Sequence, residues 1–517
     1  MQGLGLKIGG DTMRIFEMIL IFAHLSTFIL AYWTDAKKVW LGAVGVNLTV
    51  FILHGIFEGF RYQMFFSYLF VILFTVYALA KINNELFARK IPKVIKVITV
   101  SLSLIALVFT SLLAYALPVF TLPKPTGSYD IGVKYFHLID EKRKDPFLDK
   151  SSKKRREVMA KVYYPAKKDE SKVFFSYFHH SSELIRLLTK HYGMPSFMLD
   201  HLNLVKTHAK ENLQISNKKQ NYPVVLFSHG AGDSMEVQTT ISENLASHGF
   251  IVVAIDHTFT SAATVFPDRV VSAKEANPNN FNTGDLDAVI NQIMADDAKF
   301  VITKLGELNQ GKMDSAFKGK LNLDKIGAMG HSVGGAVAYN LANNDSRVKA
   351  TINLDGRVYI SPKKDAKNMS PFLMLASDSG FVQSLQKREG LLKKFEDMPK
   401  EEQNMNLSMY GNKKEYKKAY DVDQKNTLGL VQVLKRSGNL FTIKGSDHMK
   451  YNDIGLFIES PLRELIGIKG EIDPARNLDI SGAVISTFFN QHLQGETNDS
   501  LESLIRKYPE LKKVDLK

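Results

Sequence analysis

The sequence predicts a two-part chain. Residues 1–121 read as an all-α block of four membrane-crossing helices. Residues 122–517 read as an α/β domain, a mostly parallel eight-stranded sheet with helices on both faces. Three observations carry this reading. Four apolar runs crowd the first quarter of the 517 residues. After residue 122, short β-branched runs alternate with helical patterns, as they do in sheets covered on both faces. One of those strands breaks into a helix through Gly330-His331-Ser332-Val333-Gly334-Gly335.

Composition narrows the classes. With 45% hydrophobic and 23% charged residues the chain is neither disordered nor collagen-like. The absence of cysteine excludes a disulfide framework, a Cys-ligated metal and a Cys nucleophile. The net charge of +13 suits an anionic partner such as lipid headgroups. Nucleic acid is not expected, because the positive charge is dispersed and no reader motif accompanies it.

The apolar runs are Arg14–Trp33, Val39–Phe57, Tyr62–Ala80 and Val94–Phe120. Each approaches or exceeds the about 20 residues that a helix needs to cross a bilayer core. Four in series, with no small-residue cleavage pattern near the first, argue against a signal peptide or a buried core helix. Lys37 and Lys38 sit in the first connector, and Lys81, Arg89, Lys90, Lys93 and Lys96 in the third, whereas Glu58 and Arg61 cancel in the second. The positive-inside rule then makes the basic side cytoplasmic and everything after Phe120 extracytoplasmic, with the plasma membrane the expected location. Glu17, His24, Asn47 and His54 lie in or near the spans and are expected to face neighbouring helices or interfaces.

The expected strands are Tyr129–Ile139, Val158–Tyr164, Val224–Ser228, Phe250–Asp256, Lys325–Met329, Lys349–Leu354, Phe372–Ser377 and Leu440–Lys444. Several are continuous apolar runs, the signature of buried parallel strands. The opening pair is expected to form an antiparallel edge. Helical patterns cover Met235–His248, Asp285–Leu308 and Val333–Ala342.

Gly330-His331-Ser332-Val333-Gly334-Gly335 is a G-x-S-x-G nucleophile elbow in its strand–turn–helix context. Ser332 must sit on a strained turn to project its hydroxyl, and side chains at the flanking positions would strike backbone, hence Gly330 and Gly334. A serine hydroxyl needs a base, and the base an orienting carboxylate, in the chain order Ser, acid, His. Asp355 ends the strand KATINL and is preferred as the acid, with Asp378 at the end of FLMLASD as its rival. His448 follows the late strand as the base. His492, the other histidine after Ser332, lies in a terminal helical segment. The oxyanion hole needs two N–H donors. Val333 supplies one, and Ala231, in the loop His229-Gly230-Ala231-Gly232, is expected to supply the second.

With these residues in place the chain resembles the platelet-activating factor acetylhydrolase family, of the secreted or lipoprotein-associated type and its bacterial relatives, within the α/β-hydrolase superfamily. The resemblance runs through PTGSYDIGV (Pro125–Val133), AKVYYPA (Ala160–Ala166), VVLFSHGAG, LASHGFIVVAIDH (Leu245–His257), GHSVGGA (Gly330–Ala336), INLDG (Ile352–Gly356), IKGSDHMKYNDI (Ile443–Ile454) and IGIKGEIDP (Ile466–Pro474). It implies a calcium-independent serine esterase that removes short or oxidised acyl chains from phospholipids, with Ser332, Asp355 and His448 as the triad and Ala231 and Val333 as oxyanion donors.

There are departures. The membrane block is foreign to the familiar enzyme. Ala231 stands where a bulkier residue is expected. The stretch from Asp355 to His448 is long, with a Lys/Glu-rich helical insertion near 380–437 that reads as a cap. Phe174–Leu204 is either a helix pair dipping into lipid or an ordinary packed insertion. His179 and His180 diverge by about 100° on a helix and cannot readily chelate one metal. With no HExxH or EF-hand pattern, neither metal nor other cofactor is expected. Lys150–Arg156 reads as a solvated loop, with contact to an anionic leaflet as its other reading.

The expected function is a membrane-anchored serine ester hydrolase acting through an acyl-enzyme on lipids or small esters with short acyl chains. The rival readings are a membrane sensor or transporter with a hydrolase-like ligand-binding domain, and a peptidase or thioesterase using the same triad. The sequence leaves the oligomeric state open.

Overall fold

The computed structural model describes residues 13–34, 36–83, 92–171, 173–178, 181–191, 193–277, 280, 286–362, 369–497 and 500–516. Arg89, Lys90, His179, His180 and Asp285, all invoked above, lie outside them. The chain forms two compact units: Met1–Thr121 with Ser176–Val205 and Leu456–Gly467, and Leu122–Phe175 with Lys206–Gly455 and Ile468–Lys517.

The first unit holds α1 (Ile15–Trp33), α2 (Lys37–Phe57), α3 (Phe65–Asn83) and α4 (Lys93–Ala116). By length and composition three helices among the described residues are apolar enough to cross a membrane, over Lys37–Phe57, Tyr62–Asn83 and Val94–Ala116. The first of the four expected spans falls on α1, which is apolar over Ile15–Leu30. Side chains that would be costly in lipid turn inward. Glu17, His24, Asn47, His54 and Arg61 are all buried. Arg61 Nε and Nη2 grip the two Glu17 carboxylate oxygens at 2.6 Å each. Arg61 also caps the end of α4 through the Leu117 and Ala114 carbonyls, at 2.5 and 3.1 Å. Deeper in the bundle, His24 bridges Asn47 Oδ1 at 2.6 Å and Ser67 Oγ at 2.7 Å. Ser176–Val205, which contributes α5 (Ser181–His191) and two short turns, is a packed part of this unit.

The second unit is built on a sheet. In chain order its elements are β1 (Asp130–Lys144), β2 (Arg155–Ala166), β3 (Ala209–Glu211), β4 (Tyr222–Ser228), α6 (Thr239–Ser247), β5 (Ile251–Asp256), a small hairpin of β6 (Ala263–Val265) and β7 (Val270–Ser272), α7 (Leu286–Asn309), β8 (Leu321–His331), α8 (Val333–Asn344), β9 (Val348–Leu354), β10 (Phe372–Ser377), α9 (Gly380–Lys387), α10 (Lys400–Tyr410), α11 (Lys413–Ser437), β11 (Leu440–Ile443), α12 (Pro474–Phe489), α13 (Leu501–Lys507) and β12 (Leu511–Lys513). The sheet order is β12-β11-β10-β9-β8-β4-β5-β2-β1-β3. Strands from β11 through β5 are parallel, and β1, β2 and β12 are antiparallel to their inner neighbours.

All eight expected strands are present, but among the described residues the sheet has ten. The count of eight is corrected by β3 and β12, one at each edge. Each is three residues long, too short for a periodicity to show. β3 also pairs outside β1, so the opening pair is not itself the edge. Every residue of β4 and β5 is buried, which is why those strands read as unbroken apolar runs. Met294, Ala298 and Val301 of α7 and Val337 and Leu341 of α8 pack on Val224, Leu226, Val253 and Ala328. The chain reverses its direction of travel across the sheet at β4, which lies between β5 and β8. In such sheets ligands bind beyond the carboxyl ends of the strands at the reversal. Ser228 at the end of β4 is paired with Gly330 at the end of β8, so two glycine-rich turns emerge there side by side.

Candidate active site

The elbow is strained in the way its glycines predict. Ser332 has φ 56° and ψ −124°, a conformation costly for any residue with a side chain. The turn is packed against the end of β4. A Cβ added to Gly330 would lie 2.6 Å from the Ser228 carbonyl oxygen, and one on Gly334 would lie 2.6 Å from that of His229. Gly335 follows in the first turn of α8, and its N–H donates to the Ser332 carbonyl at 2.9 Å. Ser332 is half-buried and lines a cleft of about 500 Å³ together with Val333, Asp355 and His448.

Asp355 follows β9 in a left-handed conformation, φ 53°. Its carboxylate accepts three hydrogen bonds: from Ser377 N at 2.8 Å, from Ser377 Oγ at 2.8 Å, and from His448 Nδ1 at 2.7 Å. Because Nδ1 donates to a carboxylate, Nε2 of the neutral ring is bare and available as a base. Burial disfavours the charged His448 ring, but the Asp355 hydrogen bond and the charges of Asp355, Asp233 and Asp447 outweigh it and raise its pKa above the usual histidine value. Asp378, the rival acid, is exposed. It accepts from Gly445 N at 3.2 Å, while its own N–H donates to Ser446 Oγ. It supports the His448 loop rather than its ring.

His331 does more than fill the variable elbow position. Its Nε2–H donates to the His448 carbonyl at 2.9 Å, and the two rings lie 4.5 Å apart. The neighbour of Ser332 thereby holds the backbone that carries His448. The sequence marked His331 only as an elbow position, without its hold on His448, and did not mark Ser377 as a site residue. The only signal available was the position of Ser377, one residue before Asp378 at a strand end.

The two expected oxyanion donors are the backbone N–H groups of Val333 and Ala231. Val333 is the first residue of α8, where the N–H has no intrahelical partner. Ala231 N–H has no partner among the described residues, and a Cβ added to the preceding Gly230 would lie 3.3 Å from Ser332 Cβ. The insertion between β10 and β11 folds as α9, α10 and α11, and its Phe381 and Leu391 line the cleft.

A second Ser–His–Asp set lies beneath this one. Ser228 Oγ is 3.0 Å from His257 Nε2, and His257 Nδ1 is 3.1 Å from Asp297 Oδ2. All three residues are buried, and none lines the cleft. Arg156 holds Asp297 with Nε at 3.1 Å and Nη2 at 2.7 Å. Burial alone would raise the Asp297 pKa, but Arg156 and His257 pull it well below the carboxylate range.

The only group of three possible metal ligands found among the described residues is Glu17, His54 and Glu58, in the helical unit. Glu17 is already matched by Arg61 and Arg14, and His54 by Glu58 and Tyr68. Two guanidinium groups at the same carboxylate make this a poor place for a cation.

The profile of the family described as "Platelet-activating factor acetylhydrolase, isoform II" matches residues 116–510. A platelet-activating factor acetylhydrolase of Canis lupus familiaris is 25% identical over 399 residues, 72% of this chain and 77% of that protein. One of Cavia porcellus is 23% identical over 407 residues, 74% of this chain and 81% of that protein. Among solved structures, a ferulic acid esterase from Streptomyces cinnamoneus superposes with a TM-score of 0.53 at 23% identity, covering 76% of this chain and 98% of that one.

Proposed function

The chain belongs to the platelet-activating factor acetylhydrolase, isoform II, family and is a carboxylic ester hydrolase, and from that premise we propose that it is a membrane-anchored serine esterase acting through an acyl-enzyme on lipids or small esters with short acyl chains. The observation that carries the reading is the 2.7 Å bond from His448 Nδ1 to Asp355, in one cleft with a strained Ser332. His448 Nε2 takes the Ser332 proton as Oγ attacks the ester carbonyl. The oxyanion is received by the N–H groups of Val333 and Ala231. Nε2–H then protonates the leaving alcohol, and the acyl group stays on Ser332. A water gives its proton to Nε2 and attacks the acyl carbon, and Nε2–H then returns the proton to Ser332 Oγ as the acid leaves. Asp355 stays ionised throughout and fixes the tautomer. No step calls for a metal or other cofactor.

Anchoring rests on the helical unit. The Arg14–Glu17–Arg61 knot ties the start of α1, the α2–α3 connection and the end of α4 together, which supports placing them at one membrane face. Lys37 and Lys38 open α2 and Lys81 lies in the last turn of α3, at the opposite helix ends, which supports a cytoplasmic placement for those ends and an extracytoplasmic one for the catalytic unit.

The test is a chain-length series of esters and phospholipids on detergent-solubilised full chain, with Ser332→Ala as the blank and a fluorophosphonate probe to count active sites. Ser332→Ala should lower kcat by about 10⁴-fold or more. Activity retained in that variant, or failure of folded wild type to label at Ser332, refutes the reading.

A further inference from the structure

The two buried histidines next to the oxyanion loop have no part in the chemistry above, yet their hydrogen bonds fix the loop's geometry. His229 Nδ1 lies 2.6 Å from the Gly230 carbonyl oxygen, so Nδ1 donates. His229 Nε2 accepts the backbone N–H of His257 at 3.1 Å, so Nε2 is bare. The two bonds together admit a single species, the neutral Nδ1–H tautomer. Burial, and after it the neighbouring His257, push the His229 pKa down to about 4, in keeping with a ring that stays neutral.

The carbonyl that His229 holds belongs to the same peptide group as Ala231 N–H. In a trans peptide the C=O and N–H point in opposite directions. The Gly230 oxygen is turned into the interior by His229 and by the Asp233 N–H at 3.2 Å. Ala231 N–H is therefore turned away from the interior, beside Ser332, where it lacks a protein partner among the described residues. Resting on the assignment of Ser332 and Ala231 above, we infer that His229 is a positioning residue for the oxyanion hole, setting the direction of Ala231 N–H, and that the buried Arg156–Asp297–His257–Ser228 chain braces it.

The brace follows from the same kind of accounting. His257 Nδ1 donates to Asp297, which Arg156 and Arg143 hold from the other side. His257 Nε2 is then left to accept the Ser228 hydroxyl proton. Ser228 ends β4, and its carbonyl abuts Gly330 and Gly334 of the elbow. One chain of bonds thus fixes both the strand end before the loop and the His257 backbone that orients His229.

Two near-isosteric substitutions separate positioning from bulk stability. His229→Asn keeps a donor where Nδ1 stands. His229→Gln puts one where Nε2 stands and leaves the Gly230 carbonyl without its side-chain donor. In the full chain, with sites counted by saturating fluorophosphonate, H229N should keep kcat per site within about fivefold of wild type. H229Q should lose about 10²-fold with KM little changed, the scale of losing one oxyanion donor. A trifluoromethyl ketone, which forms a tetrahedral adduct on Ser332, should weaken by the same factor as kcat/KM. Should H229Q not fold, Ser228→Ala carries the test. It should lower kcat per site several-fold while the ketone weakens in step. Equal losses in H229N and H229Q, or ketone affinity unmoved while kcat falls, overturn the inference. If wild type itself does not label at Ser332, the serine assignment fails. If it labels and the variants do not separate, only the positioning role fails.

Discussion

Asp355→Asn separates the two candidate acids. In the structure Asp355 takes the His448 Nδ1 proton at 2.7 Å, while Asp378 holds only backbone of the same loop. An amide at 355 keeps the shape but can present N–H to Nδ1, which favours the tautomer with its proton on Nε2, the nitrogen that must receive the serine proton. In an unrelated serine protease that change costs about 10⁴-fold in kcat, or about 5 kcal/mol of barrier. The same loss is expected here, because Asp355 is the carboxylate bonded to the ring. A pH profile adds a second reading. The base works only when neutral, so kcat/KM rises with pH through the His448 pKa, which lies above the usual histidine value in wild type. Burial lowers that pKa, and Asp355 is the largest contribution that raises it. The residual activity of Asp355→Asn should therefore have its acid limb at lower pH than wild type. The assay is hydrolysis of a chromogenic short-chain ester between about pH 5 and 9, normalised to fluorophosphonate-labelled sites. Asp378→Asn serves as the control and should stay within about tenfold of wild type. Asp355→Asn within tenfold of wild type, with Asp378→Asn crippled, would reverse the assignment.

Three further outcomes follow from particular contacts. Gly334→Ala places a methyl 2.6 Å from the His229 carbonyl, with backbone on that side and no flexible side chain to yield. It should destabilise the catalytic unit by about 3 kcal/mol, read as a lowered midpoint for loss of labelling on heating. Glu17→Gln breaks a pair in which both side chains are fully buried and leaves Arg61 uncompensated. It should cost about 3–5 kcal/mol, and an unfolding midpoint in detergent within about 1 °C of wild type would contradict the structural role given to that pair. Phe381→Ala opens a wall of the cleft. It should raise the ratio of kcat/KM for an octanoyl over an acetyl ester by about tenfold, and an unchanged ratio would place acyl selection elsewhere.

The elements that the sequence revealed are those whose physics is local. Ser332 announces itself because the elbow needs small residues within two positions on either side. The strands β4, β5 and β10 announce themselves because burial on both faces leaves largely apolar runs. Edge strands β3 and β12 carry three residues each and pair only because a neighbouring edge is already formed, so nothing in their own sequence marks them. Glu17 and Arg61 are 44 residues apart, and their pairing depends on how the helices pack. Ser377 holds Asp355 through two hydrogen bonds and His331 holds the His448 backbone through one, with partners 22 and 117 residues away.

The second Ser–His–Asp set sharpens the point. Ser228, His257 and Asp297 do not follow the chain order Ser, acid, His that the elbow logic requires, since the acid follows the histidine. Their bond lengths are nonetheless comparable to those of a working triad. Geometry among three side chains is therefore not sufficient to identify a nucleophile. What distinguishes Ser332 is a backbone strained to present its hydroxyl to a cleft, near N–H groups without a partner among the described residues. Ser228 has a relaxed place in a fully buried strand, and the proton it could lose is committed to His257. The same bonds that resemble catalysis hold still the peptide on which catalysis depends, which is why losing them should show in the transition state rather than in KM.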